Sequence, residues 1–340
     1  MATKLIVVVG ATGNQGGSVA RRFLKDPEFR VRGLTRNTDS PASKKLAAEG
    51  AEMVQADTGD VESLKAAFKG ANVIFSVTQY WEPYFRPDLR QRAQELGISI
   101  RKLAYDIEYQ NGKNIADAAA TVVDSLDANG FLASTLSHAA KCSKGQYTEL
   151  YHYDSKADIF PDYVQEKYPE LAAKSSWVQT GYFNTSHNIL PNSYFVKLPD
   201  GSFQMQFTTD PNKPQPHLDV NADAGNFVYA VHQMPPGKHY MAEGTTCSWS
   251  DYMKLWSKVT GIPGSYKQVT PEEMITATGE PEMGKEAAYM FSYSSDPGYD
   301  GAMDLVKAED LRKAGIDCPM TSLEDWMKKQ DWEAILSSRK

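Results

Sequence analysis

The sequence predicts an α/β fold, namely a Rossmann-type doubly wound parallel sheet with a smaller α+β C-terminal lobe. Over the first 135 residues, short apolar runs alternate with amphipathic helical stretches, which is the pattern of βαβ units. A glycine-rich turn follows the first apolar run, where such sheets bind phosphate. The composition, 41% hydrophobic and 23% charged over 340 residues, is typical of a globular chain.

The individual strands and helices are predicted from apolar periodicity. The first run, Leu5 to Val9, is continuous and rich in β-branched residues, so we expect a strand buried on both faces. The helix after it places Val19 and Phe23 on one side. Further strands are predicted at Phe29 to Leu34, Glu52 to Gln55, Val73 to Val77, Phe131 to Ser134 and Trp177 to Gln179. Further helices are predicted at Val61 to Phe68 and from Ile115 until Gly130 ends the helix.

The second half of the chain differs in character, because prolines interrupt short alternating runs such as Ser202 to Phe207. We therefore predict a dinucleotide-binding domain over residues 1–185 and a smaller lobe over residues 186–340, interleaved with the first. Residues 80–112 form an insertion that is long for a connection and predicts a lid, an interface or a peripheral helix pair. Helices are predicted in the lobe at Asp223 to His232, Ser248 to Val259, Pro271 to Thr278 and Ser322 to Leu336.

Charge and cysteine content exclude several classes of protein. The 36 basic and 43 acidic residues give a net charge of −7, which argues against direct nucleic-acid binding. The three cysteines are widely spaced, which favours a reducing compartment over a disulfide framework. No apolar run approaches the roughly 20 residues of a membrane span. We expect a cytoplasmic protein, with nuclear access left open, and no membrane partner.

The turn after the first strand predicts a phosphate-binding loop. Its glycines follow a Gly-x-x-Gly-x-x-Gly spacing between a buried strand and an amphipathic helix. Small residues let the backbone approach a pyrophosphate, and the start of the helix attracts the anion. The residues predicted to contact a dinucleotide here are Gly10, Thr12, Gly13, Asn14, Gln15 and Gly16.

The end of the second strand predicts which dinucleotide is bound. Arg36 stands where NAD-binding proteins place a carboxylate for the ribose, and a guanidinium suits the 2′-phosphate of NADP(H). We therefore expect NADP(H) as the cofactor. By position, Asp57 and Thr58 follow the third strand near the adenine. Thr78, Gln79 and Tyr80 follow the fourth strand near the nicotinamide ribose.

A series of short motifs extends along nearly the whole chain, namely the glycine turn, Thr35-Arg36-Asn37, Gly50-Ala51-Glu52, Val77 to Glu82, Gly181 to Asn184, Thr270 to Glu273, Met290 to Tyr293 and Leu323 to Trp326. In this order the motifs resemble the NmrA-like family, the atypical short-chain dehydrogenases, and most of all its NADPH-sensing branch. The resemblance implies a Rossmann domain with a C-terminal lobe, NADP(H) in the cleft between them, and roles from transcription co-regulation to reduction. Pro83 to Asn111 is longer than its counterpart in that branch, and Thr38-Asp39-Ser40 replaces its basic cluster.

The resemblance also directs attention to the catalytic position. A short-chain reductase uses a tyrosine proton donor with a lysine four residues later, on the same helix face. Here Lys156 is present, but His152 replaces the tyrosine, and Tyr153 beside it projects about 100° away on a helix. Lys156 is expected to contact the cofactor ribose and, with His152, forms the candidate catalytic pair. Ser134 is expected beside the cofactor in the place of the substrate-polarising hydroxyl.

A further set of residues at the carboxyl end of the sixth strand is expected to wall the nicotinamide or to form core between the lobes. These residues are Tyr182, Phe183 and Asn184. His187 and His217 have no neighbours at metal-ligand spacing, so no metal site is predicted.

Two functions remain open on the sequence. One is a redox-sensing regulator that responds to NADP(H) and acts through a protein partner, which explains the missing tyrosine. The other is an NADPH-dependent reductase of a small carbonyl, quinone or imine, with Lys156 and with His152, a loop hydroxyl or water as the proton donor. This function explains the retained cleft and its aromatic residues.

The assignment of Arg36 is testable with a single substitution. Arg36→Ala is expected to weaken binding of NADPH much more than binding of NADH, because only NADPH has the 2′-phosphate that the guanidinium neutralises. Calorimetric titration of the purified protein with both dinucleotides measures this. Equal losses for the two would contradict the assignment.

Overall fold

The computed structural model describes residues 3–337. The strands are β1 (Lys4–Val8), β2 (Phe29–Thr35), β3 (Glu52–Gln55), β4 (Val73–Ser76), β5 (Phe131–Thr135), β6 (Ser175–Thr180), β7 (Tyr182–Phe183), β8 (Val196–Lys197), β9 (Phe203–Phe207), β10 (Gln215–Leu218), β11 (His239–Ala242), β12 (Thr245–Cys247), β13 (Gly264–Gln268) and β14 (Val306–Lys307).

The helices are α1 (Asn14–Phe23), α2 (Pro41–Ala48), α3 (Val61–Phe68), α4 (Trp81–Phe85), α5 (Pro87–Leu96), α6 (Ile100–Ala120), α7 (Ala139–Cys142), α8 (Tyr151–Ala157), α9 (Val164–Lys167), α10 (Pro169–Ala172), α11 (Pro191–Tyr194), α12 (Val220–His232), α13 (Trp249–Thr260), α14 (Pro271–Thr278), α15 (Pro281–Tyr293), α16 (Ala308–Lys313), α17 (Leu323–Lys328) and α18 (Trp332–Ser337). Short 3-10 turns lie at Val123–Ser125 and Ser186–Asn188, and kinked turns lie at Asp158–Tyr163 and Ser294–Gly298. Within residues 3–337, none of the helices combines the length and the apolar character that crossing a bilayer requires.

The main sheet has eight strands in the order β14-β11-β6-β5-β4-β1-β2-β3, and all of its neighbouring strands are parallel. The predicted doubly wound α/β fold is therefore confirmed. The strand order reverses between β1 and β4, so the connections from these two strands diverge and leave a crevice at their carboxyl ends. The glycine turn after β1 lies at this crevice.

Alternation along β1 explains why its whole run is apolar. Ile6 and Val8 belong to the core beneath α1 and α12, whereas Leu5 and Val7 belong to the core beneath α3 and α6. Successive side chains of a strand point to opposite faces, and here both faces are covered by helices.

The C-terminal half of the chain contributes to both parts of the molecule. Its strands β11 and β14 extend the main sheet next to β6, and α12 packs against α1. The remaining strands form two small sheets, β12-β10-β7 and β13-β9-β8. An aromatic core lies beside them, in which the rings of Phe207 and Phe291 stack with centroids 3.8 Å apart.

Two predictions about helices were wrong in detail, and two strands were missed. The helix predicted from Ile115 begins at Ile100 inside the insertion and ends at Ala120, not at Gly130. The helix predicted from Ser322 to Leu336 is two helices, α17 and α18, because Asp331 caps the N-terminal end of the second. The strands β11 and β14 were missed, since runs of four and two residues give little periodic signal.

The contact between α1 and α12 is close enough to require glycine. The Gly225 amide donates to the Ser18 hydroxyl at 2.9 Å, and a Cβ at residue 225 would lie 2.2 Å from the Ser18 carbonyl oxygen. The helices therefore touch backbone to backbone, and no side chain fits between them at this point.

Gly225→Ala is expected to lower the free energy of unfolding by about 1–3 kcal/mol, the usual cost of overpacking a tight contact. Urea denaturation followed by circular dichroism measures it. Asn221→Ala, at an exposed site on the same helix, is the control and should change stability by less than about 0.5 kcal/mol. If Gly225→Ala left the free energy of unfolding unchanged, the close approach of the two helices would be contradicted.

Candidate functional site

The loop between β1 and α1 is shaped by its glycines. Gly10 adopts a positive φ of 65°, and the Gly13 amide donates to its carbonyl oxygen at 2.9 Å. A Cβ on Gly16 would lie 2.3 Å from the same oxygen. Helix α1 begins after Gly13 without a side-chain cap, so its first amides are free of side-chain acceptors. The loop is thus a cradle of backbone N–H groups suited to an anion.

This loop forms one wall of a cleft of about 790 Å³ at the carboxyl edge of the sheet. The predicted residues that line the cleft are Gly10, Thr12, Gly13, Asn14, Gln15, Gly16, Arg36, Asp57, Thr58, Thr78, Gln79, Ser134, His152, Lys156, Tyr182 and Phe183. Their proposed contacts with a dinucleotide stay predictions.

Two predicted residues lie outside this lining. Tyr80 is fully buried, and its hydroxyl donates to the Arg101 carbonyl oxygen at 3.3 Å. Asn184 is buried at the end of β7, where its backbone amide donates to the Leu218 carbonyl oxygen at 2.9 Å in a lobe sheet. The structure thus buries Tyr80 and Asn184 outside the cleft lining, and their cofactor contacts stay predictions.

At one end of the cleft, Arg36 is paired with a carboxylate. Its Nη1 atom lies 3.0 Å from Oε1 of Glu82, on helix α4 of the insertion. Glu82 comes from a segment 46 residues away along the chain, so the sequence around Arg36 does not reveal this pair. The side chains of Arg36 and Glu82 remain 62% and 38% exposed, so the pair lies at the rim.

Deeper in the cleft, Lys156 is held by a buried acid that the sequence analysis did not identify. Its ammonium group lies 2.6 Å from Oε1 of Glu108, which is fully buried on α6. The Ser155 hydroxyl donates to the other carboxylate oxygen of Glu108. The insertion therefore fixes the lysine beside the place expected for the nicotinamide ribose.

A second buried acid holds His152. The Nδ1 atom of His152 lies 2.6 Å from Oε1 of Glu286, on α15, and the His152 backbone amide donates to the same oxygen at 2.9 Å. The other oxygen of Glu286 pairs with Arg101 at 3.1 Å. Within residues 3–337, the ring nitrogen Nε2 of His152 has no hydrogen-bond partner. The ring is thus fixed through Nδ1, and Nε2 remains for a ligand.

Tyr153 also lines the cleft, contrary to the expectation that it projects away. The short helix α8 is packed among the aromatic residues of the lobe, which turns Tyr153 toward Tyr293 and Tyr299 at ring distances of 5.5 and 5.7 Å. Burial raises the pKa of Tyr153 well above its ordinary value. Tyr153 therefore stays a neutral phenol and is a poor proton donor.

The part of the cleft next to His152 and Lys156 has an apolar wall. Tyr182 belongs to both cleft and core, as its ring stacks on Phe291 at 5.4 Å and its hydroxyl bonds Ser294 at 2.7 Å. Further apolar residues line the cleft: Leu136 directly after β5, and Leu190, Tyr194, Met283, Ala287 and Met290 in the C-terminal lobe.

The residues present suit a nicotinamide dinucleotide. The glycine cradle offers uncapped amides for the pyrophosphate, and Arg36 is a cation at the rim. Among residues 3–337, the buried hydroxyl of Thr78 has no hydrogen-bond partner, although it lines the cleft. A buried hydroxyl without a partner is costly unless a ligand satisfies it.

A glycine cradle at the switch point of a doubly wound sheet defines the class of Rossmann-fold dinucleotide-binding proteins. Within that class, the chain belongs to the NmrA-like family, whose profile matches residues 2–327.

Two curated relatives and one solved structure illustrate the likeness. The NmrA-like family domain-containing oxidoreductase hkm9 of Aspergillus hancockii is 49% identical over 102 residues, 30% of each chain. The similarly named oxidoreductase cpsB of Aspergillus campestris is 28% identical, over 82% of this chain and 79% of its own. The structure of NmrA, a negative transcriptional regulator in complex with NADP, superposes with a TM-score of 0.71 at 20% identity, covering 99% of this chain and 98% of its own.

Outside the cleft, three side chains approach closely enough to hold a cation: His138, Asp158 and Asp162. Each is already engaged by a neighbour. His138 contacts Asp154 at 3.0 Å through Nδ1 and Asp158 at 3.1 Å through Nε2, and Lys141 pairs with Asp162. Burial alone would lower the pKa of His138, but hydrogen bonds and charge from Asp154 and Asp158 raise it to about 9. His138 is therefore an imidazolium at neutral pH.

This imidazolium predicts a pH-dependent stability. The folded pKa of about 9 exceeds the ordinary value of 6.5, so the stabilisation is complete below pH 6.5 and disappears as the pH rises through 9. The stability difference between the native protein and His138→Gln should shrink by about 3 kcal/mol between pH 6 and pH 10. Urea denaturation at each pH measures it.

His232→Gln is the matched control. Burial lowers the pKa of His232, so its contribution changes only in acid and should stay constant between pH 7 and pH 10. A pH-independent effect of His138→Gln would show that His138 is not charged in the folded protein.

Proposed function

We propose that this protein binds NADP(H) in the cleft and reduces an apolar carbonyl, quinone or imine. The observation that carries the proposal is His152, fixed by the buried carboxylate of Glu286 in the apolar part of the cleft. The oxidoreductase names of hkm9 and cpsB support it.

Binding of the cofactor is assigned to the residues described above. The glycine cradle would hold the pyrophosphate, Arg36 the 2′-phosphate, and Thr78 and Lys156 the nicotinamide ribose. Because Glu108 holds the ammonium group of Lys156 at 2.6 Å, the lysine is positioned before the cofactor arrives.

NADPH supplies a hydride, that is, one hydrogen and an electron pair, to the electrophilic carbon of the substrate. The carbonyl oxygen or imine nitrogen must then receive a proton from the chain. Nε2 of His152 is suited to donate it, because Glu286 holds Nδ1 at 2.6 Å, which fixes the orientation of the ring and leaves Nε2 available. Tyr153 is less suited, since its raised pKa makes it a weak acid.

The walls next to His152 define the class of substrate. The cleft lining includes leucine, methionine and aromatic side chains, among them Leu190, Tyr194, Met283 and Met290. Such walls exclude water from a reacting carbon and bind an apolar body rather than a charged one. We therefore expect a substrate whose polar part is limited to the reducible group.

A redox-sensing regulator that acts through a protein partner is the second candidate. It is favoured by the histidine in the place of the short-chain reductase tyrosine and by the likeness to NmrA. In that case NADP(H) would bind without being consumed, and its occupancy would change the fit of a partner. The same experiment separates the two functions.

The test begins with calorimetric titration using NADPH, NADP⁺, NADH and NAD⁺. The complex is then incubated with a panel of aromatic aldehydes, quinones and cyclic imines while the absorbance of NADPH is followed. Reductase function predicts steady oxidation that falls at least about 100-fold in His152→Gln, with the dissociation constant of NADPH within about two-fold.

His239→Gln is the matched control, because His239 lies outside the cleft lining and should leave turnover unchanged. Thermal denaturation of each variant shows that the fold is retained. Tight binding of NADPH without oxidation by any compound favours the regulator. Turnover unaffected by His152→Gln would assign the proton to another donor.

A further inference from the structure

The ion pair between Arg36 and Glu82 lies where NADP(H) would be distinguished from NAD(H). The two side chains line the same end of the cleft, with 3.0 Å between Nη1 and Oε1. A guanidinium already facing a carboxylate offers less net charge to a phosphate than a free one. The anionic 2′-phosphate would therefore be attracted by the guanidinium of Arg36 and repelled by the carboxylate of Glu82.

Helix α4, which carries Glu82, is held at this end of the cleft by contacts of its buried residue Tyr84. Tyr84, two residues further along α4, is fully buried, and its hydroxyl donates to Glu280 on the loop before α15. Arg90 stacks over the Tyr84 ring at 4.7 Å and lies 3.5 Å from Glu280. The backbone of Glu82 is thus held near Arg36, and only its side chain can rotate away.

Nearby cations do not compensate for Glu82. Arg86 also lines the cleft, but Asp88 binds it with contacts of 3.1 and 2.5 Å. Lys44 lies 3.4 Å from Asp39 and does not line the cleft. Within residues 3–337, Arg36, Arg86 and Lys44 at this end of the cleft are therefore each paired with a carboxylate.

We propose that Glu82 competes with the 2′-phosphate of NADP(H) for the guanidinium of Arg36, and that Glu82 thereby limits the preference of this protein for NADP(H) over NAD(H). The inference rests on the proposed binding of nicotinamide dinucleotides and adds a specificity-determining residue to it. Glu82 lies in the insertion, so cofactor preference is set jointly by the sheet and by a segment outside the βαβ units.

The test measures dissociation constants of NADPH and NADH, and of the fragments 2′,5′-ADP and 5′-AMP, for the native protein and Glu82→Gln. The substitution should lower the dissociation constants of NADPH and 2′,5′-ADP about three- to five-fold, the range expected for removal of one exposed ion pair. The dissociation constants of NADH and 5′-AMP should change by less than about 1.5-fold. Glu95→Gln removes the same charge from an exposed pair outside the cleft and should change none of the four.

A double-mutant cycle with Arg36→Gln tests whether Glu82 acts through the guanidinium. Competition predicts that most of the gain from Glu82→Gln disappears when Arg36 is absent. An equal gain in both backgrounds would show direct repulsion and overturn competition for Arg36. Unchanged or weaker NADPH binding in Glu82→Gln also overturns the inference but leaves the proposed function intact. Failure of all four ligands to bind the native protein would overturn both.

Discussion

The cleft depends on one buried guanidinium. Arg101 is 3% exposed and contacts three carboxylates, those of Glu149, Glu282 and Glu286, at distances of 2.9 to 3.1 Å. Burial alone would lower the pKa of Arg101, but Glu286 and Glu282 raise it above its ordinary value, so the charge is permanent. Removing one partner of such a buried pair typically costs about 3–5 kcal/mol, because the other charge is left unmatched.

Arg101 connects the parts of the chain that form the inner cleft. It belongs to α6, which begins in the insertion, and its carboxylate Glu286 belongs to the lobe helix α15. Glu286 in turn fixes His152 on α8. The same helix α6 supplies Glu108, which holds Lys156. Each candidate catalytic side chain therefore has a buried acid behind it, and one continuous helix ties both acids to the Rossmann sheet.

The parts predicted well from the sequence are those whose signal is local. The strand Glu52–Gln55 and the helix Val61–Phe68 were predicted to the residue, because their periodicity and flanking turns lie within a few positions. The glycine loop was located because strand, turn and helix are adjacent in the chain. Of the residues predicted to contact the cofactor, Tyr80 and Asn184 are buried outside the cleft lining, since position after a strand does not specify side-chain direction.

The partners of the site could not be predicted, because each lies far away in the sequence. Glu286 is 134 residues from His152, Glu108 is 48 residues from Lys156, and Glu82 is 46 residues from Arg36. The sequence by itself determined the doubly wound sheet and the phosphate-binding loop, because apolar alternation and glycine conformation act over short distances. Only the tertiary structure decided which carboxylate pairs with which basic side chain, because this pairing depends on how the insertion and the lobe pack on the sheet.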